Sequence, residues 1–194
     1  MKITEFQENT LRIRASMAHE LSHRRTANCQ NYSSIGENDE QPGLEQSKVC
    51  ETPLKKIYLQ VNTALNELDQ VLQWFNQLED LSIPTMLRYQ CQLVLAEGFT
   101  NAVRHAHKNL PGKTPIDLEV TVFNTRLEIR IWDYGQPFDL EAKLIESRKI
   151  DREQLEREGG RGLIIMRRSA DRLSYTRSVD ERNCLVFVKY FLPA

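Results

Sequence analysis

Residues 93–107 read LVLAEGFTNAVRHAH. Most of this stretch is apolar, yet Glu97, Asn101 and His105 recur four residues apart. Four residues turn an α-helix by about 400° and advance it about 6 Å, so the three side chains form one slightly spiralling stripe. The stripe runs among Leu93, Val94, Gly98 and Ala102 on a helix expected from about 85 to 108. Such a helix, apolar on most sides, belongs in the interior. Pro84 suits its start, and 109–115, with a glycine and two prolines, ends it. Buried polar groups need partners, a carboxylate above all. A magnesium nucleotide would supply them. Mg²⁺ takes oxygen ligands and keeps several waters, so one amide oxygen from Asn101 beside phosphate oxygens suits it. Glu97, one turn away, would orient or deprotonate an attacking hydroxyl. A surface stripe with an i,i+4 hydrogen bond would use the same spacing and is the plain alternative.

Downstream, Ile116, Leu118, Val120 and Val122 share one face of a predicted strand, and Leu127, Ile129 and Ile131 share one face of the next. Asn124-Thr125 between them reads as the turn of an antiparallel hairpin. Asp133 continues the parity of Ile129 and Ile131 and so points where the core wall should be. A carboxylate there is costly unless paired. Adenine offers an exocyclic amino donor, which a carboxylate accepts, whereas guanine presents an acceptor at that place. Gly135 would let the backbone approach the flat base. The alternative is a strand ending in a polar turn. Gly159-Gly160-Arg161-Gly162-Leu163 then precedes a predicted short helix marked by Leu163, Ile164, Met166 and Ala170. Clustered glycines expose backbone N–H groups to a phosphate chain, and the helix N-terminus adds favourable partial charge. A hinge would use the same glycines.

Upstream, 56–61 alternates as a short strand, and Leu65, Leu68, Leu72, Phe75 and Leu78 mark a helix over 63–80. Strands near 173–178 and 184–192 close the domain; the charged run 139–158 leaves helix and loop both open. Residues 1–23 have a weak helical pattern, but 24–52 are polar and bury too little to offset their ordering entropy. A flexible extension over 1–52 and a domain over 53–194 are expected. The 194 residues carry net charge −1, which points to neither a nucleic-acid nor an anionic-membrane surface. No run reaches membrane-spanning length and no apolar leader opens the chain, so a cytoplasmic location is the default expectation. Cys29, Cys50, Cys91 and Cys184 match no zinc spacing and read as reduced thiols.

An acid/amide stripe on a helix, an Asp-x-Gly at a strand end and a glycine loop entering a helix occur here in that order. This resembles the N, G1 and G2 boxes of the GHKL (Bergerat-fold) ATPases and kinases over nearly all of 53–194. LVLAEGFTNAVRHAH (93–107), WDYGQPFD (132–139) and GGRGLIIMRRSAD (159–171) look most like the anti-sigma-factor serine kinases of partner-switching systems. The resemblance implies an α+β, two-layer sandwich: a mixed, mostly antiparallel sheet with helices on one face. It implies ATP and Mg²⁺ as cofactors. Glu97 matches the general base, Asn101 the Mg²⁺ ligand and Asp133 the adenine contact, with Gly135 beside the base. Gly160, Arg161, Gly162 and Leu163 match the phosphate loop, and about 139–161 match the lid. His105 lies at the third N-box position, and Arg104 is a candidate phosphate contact. The family phosphorylates a serine of a small anti-anti-sigma (STAS) protein, many members also hold a sigma factor, and homodimers occur by analogy; direct nucleic-acid or membrane binding is not implied.

Two other functions use the same residues. One is an ATP-gated binding module without catalysis. The other is a histidine-kinase ATP domain, for which His19-Glu20-Leu21 echoes a phospho-acceptor motif. Residues 24–52 are too polar to supply the second helix of its dimerisation hairpin.

Overall fold

A computed structural model describes residues 51–149 and 161–192. The expected polar extension, with His19, Cys29 and Cys50, lies outside the described residues, as do Gly159 and Gly160. The unit that begins at Thr52 carries the sheet. Its elements are β1 (Lys55–Asn62), α1 (Leu68–Phe75), α2 (Thr85–Asn101), β2 (Pro115–Val122), β3 (Arg126–Asp133), α3 (Leu140–Lys149), α4 (Arg161–Ser169), β4 (Arg172–Arg177) and β5 (Asn183–Tyr190). Short 3₁₀ turns at Leu65–Glu67 and Asn76–Leu78 flank α1, so the helix expected over 63–80 is divided in three.

The strands pair in the order β1-β2-β3-β5-β4. All four pairings are antiparallel, so the sheet expected to be mostly antiparallel is wholly so among the described residues. Alternation decides the two faces. Ile57 and Val61 of β1, Ile116, Leu118 and Val120 of β2, Ile129 and Ile131 of β3 and Phe187 of β5 meet the helices. Val71 and Phe75 of α1, Leu95 and Phe99 of α2 and Met166 of α4 complete that core. Each such large side chain contributes about 1.5–3 kcal/mol when fully buried. On the other face of β2, Asp117 and Glu119 are buried but paired. Glu119 bonds Lys56 at 2.8 Å and Arg130 at 2.9 Å, and Asp117 accepts from the Tyr58 hydroxyl, from Gln60 at 2.7 Å and from Arg182 at 3.3 Å. Those partners make the burial of two carboxylates tolerable.

Helix α2 lies tight on the sheet because Gly98 has no side chain. A Cβ there would stand 2.4 Å from Ile131 Cδ1 and 3.6 Å from Leu185 Cδ2. The helix does not stay regular to Lys108. After Asn101 the chain winds into a π turn at Ala102–Ala106, closed by the His107 N–H donating to the Ala102 carbonyl at 2.8 Å. The wider i→i+5 turn shifts the phase of the residues beyond it. His105 therefore departs from the expected stripe and is exposed, while His107 is buried.

Candidate nucleotide site

Glu97 and Asn101 remain one α-helical turn apart, both half-buried. Gly162, in the first turn of α4, lies directly against them. A Cβ on Gly162 would be 2.7 Å from Glu97 Oε2, 3.4 Å from Glu97 Cβ and 3.3 Å from Asn101 Nδ2. Any side chain there would have to displace the acid. The G2 glycine and the acid/amide pair, 61 residues apart at their nearest in the sequence (162 less 101), are thus in contact. The helix begins at Arg161, so Gly162 sits inside its first turn rather than in the preceding loop. First-turn N–H groups have no partner within their own helix and favour anions. Leu163, next along, is half-buried against the core.

Asp133 ends β3 on the core face and is 5% exposed. Its neighbours across the ladders are Asn183 of β5 and then Arg177 of β4, which makes one polar row across three strands. Asn183 Nδ2 donates to Asp133 Oδ1 and to the Gly135 carbonyl, both at 2.8 Å. The Gly135 N–H donates to the same Oδ1 at 2.8 Å, an Asx turn that folds the chain back after the strand. Arg177 Nη1 donates to Asn183 Oδ1 and to the Gly135 carbonyl, both at 3.2 Å. The inward carboxylate is paired, as its burial requires. Asp133's bonds converge on Oδ1, which fixes its orientation.

Gly135 is held from the other side by the end of the π turn. A Cβ on it would stand 2.5 Å from the Ala106 carbonyl oxygen and 2.6 Å from Ala106 Cα. Backbone cannot retreat as a side-chain tip can, so Gly135→Ala is expected to destabilise the fold by about 2 kcal/mol or more. A urea titration checks this; an unchanged midpoint would mean that the two segments separate freely.

Two further groups crowd this end of the sheet. His107 bonds the Tyr134 N–H, and Tyr175 of β4 stacks near Phe138, with ring centroids 4.3 Å apart. The Tyr175 hydroxyl is buried with no partner at hydrogen-bond distance among the described residues. Burial, and then the charge of Asp133, pushes its pKa up. Asp139 caps α3 by accepting the Ala142 N–H at 3.0 Å.

Glu97, Asn101, Gly162, Asp133 and Gly135 fall into two clusters joined by α2 and its π turn. Arg104 and His105 are exposed on that turn. Arg161 opens α4, and Gly160 lies outside the described residues. Asn183, Arg177, Tyr175 and His107 were not singled out from sequence. Asn183 shares parity with Leu185 and Phe187, a signal of the same kind that marked Asp133. Cys91 and Cys184 are free and buried, and burial raises the pKa of both; for Cys184 it reaches about 11.

An antiparallel sheet carrying an acid/amide helix on one face, with a glycine-led helix closing on that pair, places the molecule among the GHKL-type ATP-binding domains. Residues 61–189 match the model of the histidine kinase-like ATPase domain, and the chain belongs to that family. ATP use goes with that family. The chain is 35% identical over 86 residues to the serine-protein kinase RsbW of Staphylococcus epidermidis, covering 43% of this chain and 54% of that one. It is 32% identical over 104 residues to RsbW of Listeria monocytogenes, covering 51% and 63%. For RsbW of Bacillus licheniformis the figures are 34% over 96 residues, 47% and 53%. The matched segment thus spans between half and two thirds of each curated relative. Among solved structures, the SiaB-SiaC complex from Pseudomonas aeruginosa aligns with a TM-score of 0.49 at 12% identity, covering 70% of this chain and 89% of that chain. Among the described residues, no helix is long and apolar enough to cross a membrane.

Proposed function

We propose that this domain is an ATP-dependent serine kinase of a partner-switching system, with an anti-anti-sigma (STAS) protein as phosphoryl acceptor and a sigma factor as a second partner. The observation that carries the reading is the contact of Gly162 with Glu97 and Asn101, which brings the N–H groups of a helix N-terminus to an acid and an amide. The fit of a nucleotide is supported at the other cluster. There the Tyr175 hydroxyl lies buried beside the Asp133 charge with no partner at hydrogen-bond distance among the described residues, so an added polar group suits the place.

Asn101 would give an amide oxygen to Mg²⁺, and Asp133 would accept from the adenine amino group. Mg-ATP, when bound, supplies the γ-phosphoryl group and a positive charge beside its oxygens. Glu97 takes the proton of the attacking serine hydroxyl, the step a carboxylate within reach performs. Gly162, with Arg161 and Leu163, would present backbone N–H groups to phosphate oxygens, and Gly160, outside the described residues, is assigned to the same loop by the resemblance alone. Arg104, exposed on the π turn, would reach phosphate, and His105 keeps the third N-box position that the resemblance gives it. The lid that the resemblance assigns to about 139–161 begins with α3 (Leu140–Lys149), its residues 150–160 lying outside the described residues, and two copies of the domain assemble as a homodimer.

The experiment is incubation with γ-labelled ATP, Mg²⁺ and the STAS proteins of the source genome. Label on a STAS serine is the expected result. Tight ATP binding with no transfer would instead mean an ATP-gated binding module. Acid-labile, base-stable label on His19 would mean a histidine kinase.

Asp133→Asn tests the base contact. Two N–H donors converge on Oδ1, so the new amide keeps its oxygen there and turns its NH₂ toward the base. A donor then faces adenine's amino group but suits guanine's oxygen. ATP affinity is expected to fall about tenfold more than GTP affinity, the worth of a charge-assisted hydrogen bond lost. Equal losses in a competition titration would remove Asp133 from base recognition.

A further inference from the structure

We propose that His107 is the positioning residue of the base-reading turn. In this role its neutral, Nδ1-protonated form holds Tyr134, and through it Asp133 and Gly135, in the arrangement that receives the nucleotide. The inference rests on the nucleotide reading above.

The tautomer is set by counting protons. The Thr63 hydroxyl has one, and it is donated to the Thr114 carbonyl at 2.6 Å. Thr63 Oγ1 therefore accepts from His107 Nδ1, also at 2.6 Å, and Nδ1 carries the hydrogen. Nε2 is left with its lone pair, and the Tyr134 N–H donates to it at 2.8 Å. One imidazole thus ties the loop after β1, the loop before β2 and the turn after β3 to the end of the π turn.

The turn it grips lies between the two residues that matter. Tyr134 is flanked by Asp133 and Gly135, and Gly135 already abuts Ala106, the residue before His107. A second proton on His107 would sit on Nε2 and face the Tyr134 N–H. The acceptor disappears and two donors confront each other in a buried place. Among the described residues, the charged group facing the ring is Asp133 of β3, which favours protonation, and the other titratable neighbour is Tyr134, its ring centroid 6.5 Å away. Burial outweighs the attraction of Asp133 and holds the imidazole below its ordinary value. A depressed imidazole pKa favours the native arrangement above the ordinary value of about 6.5, and that favour is lost as pH falls.

The test compares Mg-ATP affinity of the wild type and His107→Gln from pH 7.5 to pH 5. Glutamine keeps one donor and one acceptor but gains no proton. The wild type is expected to lose about tenfold more affinity on acidification than the variant, which tracks only the titration of ATP itself. Parallel profiles, with good binding at pH 7.5, would overturn the role of His107 and leave the nucleotide reading intact. No ATP binding by the wild type at any pH would overturn both. Because the variant carries a core change, ring-nitrogen NMR on the wild type gives a second readout. An Nδ1-protonated imidazole, whose titration moves the Tyr134 and Gly135 amide signals, is expected. An Nε2-protonated ring, or amides that ignore the titration, would refute the proposal.

Discussion

Glu97→Gln is expected to bind Mg-ATP as the wild type does and to transfer almost no phosphate. The amide has the shape of the carboxylate, so the packing of Gly162 against Glu97 Oε2 and Cβ survives. What it lacks is the ability to take a proton. Removing a positioned general base typically lowers a rate by about 10²–10⁴-fold. That corresponds to roughly 3–5 kcal/mol of barrier. Two measurements read the outcome: an ATP titration and a single-turnover assay with the STAS substrate. Wild-type transfer in this variant would take Glu97 out of the chemistry. The variant also separates kinase from module, because a module would lose nothing.

Asn101→Ala should have the opposite signature. It is expected to lose Mg²⁺-dependent ATP binding, while its affinity for ATP in chelator stays at the weak level of the metal-free wild type. Asn101 is half-buried at the end of the regular part of α2, so its removal leaves the core of Leu95 and Phe99 intact. Loss of an outer-shell partner already weakens a metal site about 10–100-fold, and loss of a direct oxygen ligand should exceed that. Calorimetric titration with and without Mg²⁺ makes the comparison. Equal Mg²⁺ dependence in variant and wild type would assign the metal to other residues.

The architecture was largely legible because it is written in periodicity. Alternation from Ile116 to Val122 and from Leu127 to Ile131 predicts a hairpin, and the parity of Asp133 points its carboxylate to the core face where it lies. The four-residue spacing of Glu97 and Asn101 also held, because both lie in regular helix. The same rule failed four residues later. Nothing in Ala102–Ala106 announces a π turn, and that one widened turn exposes His105 and buries His107. The spacing draws attention to His105, and nothing in it marks His107 as the buried one. It also missed Asn183 and Arg177, because their role exists only once β5 lies between β3 and β4. Strand order is a long-range property, and local pattern does not encode it. In sequence, Gly135 reads as room for a base and Gly162 as an exposed N–H, and Gly98 draws no reading of its own; in the structure all three serve closeness between segments. Each lies where a Cβ would collide with Ile131, Ala106 or Glu97 respectively.

Glu97, Asn101 and Asp133 are proposed to surround one magnesium-bound ATP. A crystal structure with Mg²⁺ and a non-hydrolysable ATP analogue tests it most directly. The predicted result has the metal on Asn101 Oδ1 at about 2.1 Å, the adenine amino group on the Asp133 carboxylate and the phosphates at the first turn of α4. A nucleotide bound elsewhere, or one seated with its base away from Asp133 and its metal held without Asn101, would contradict it.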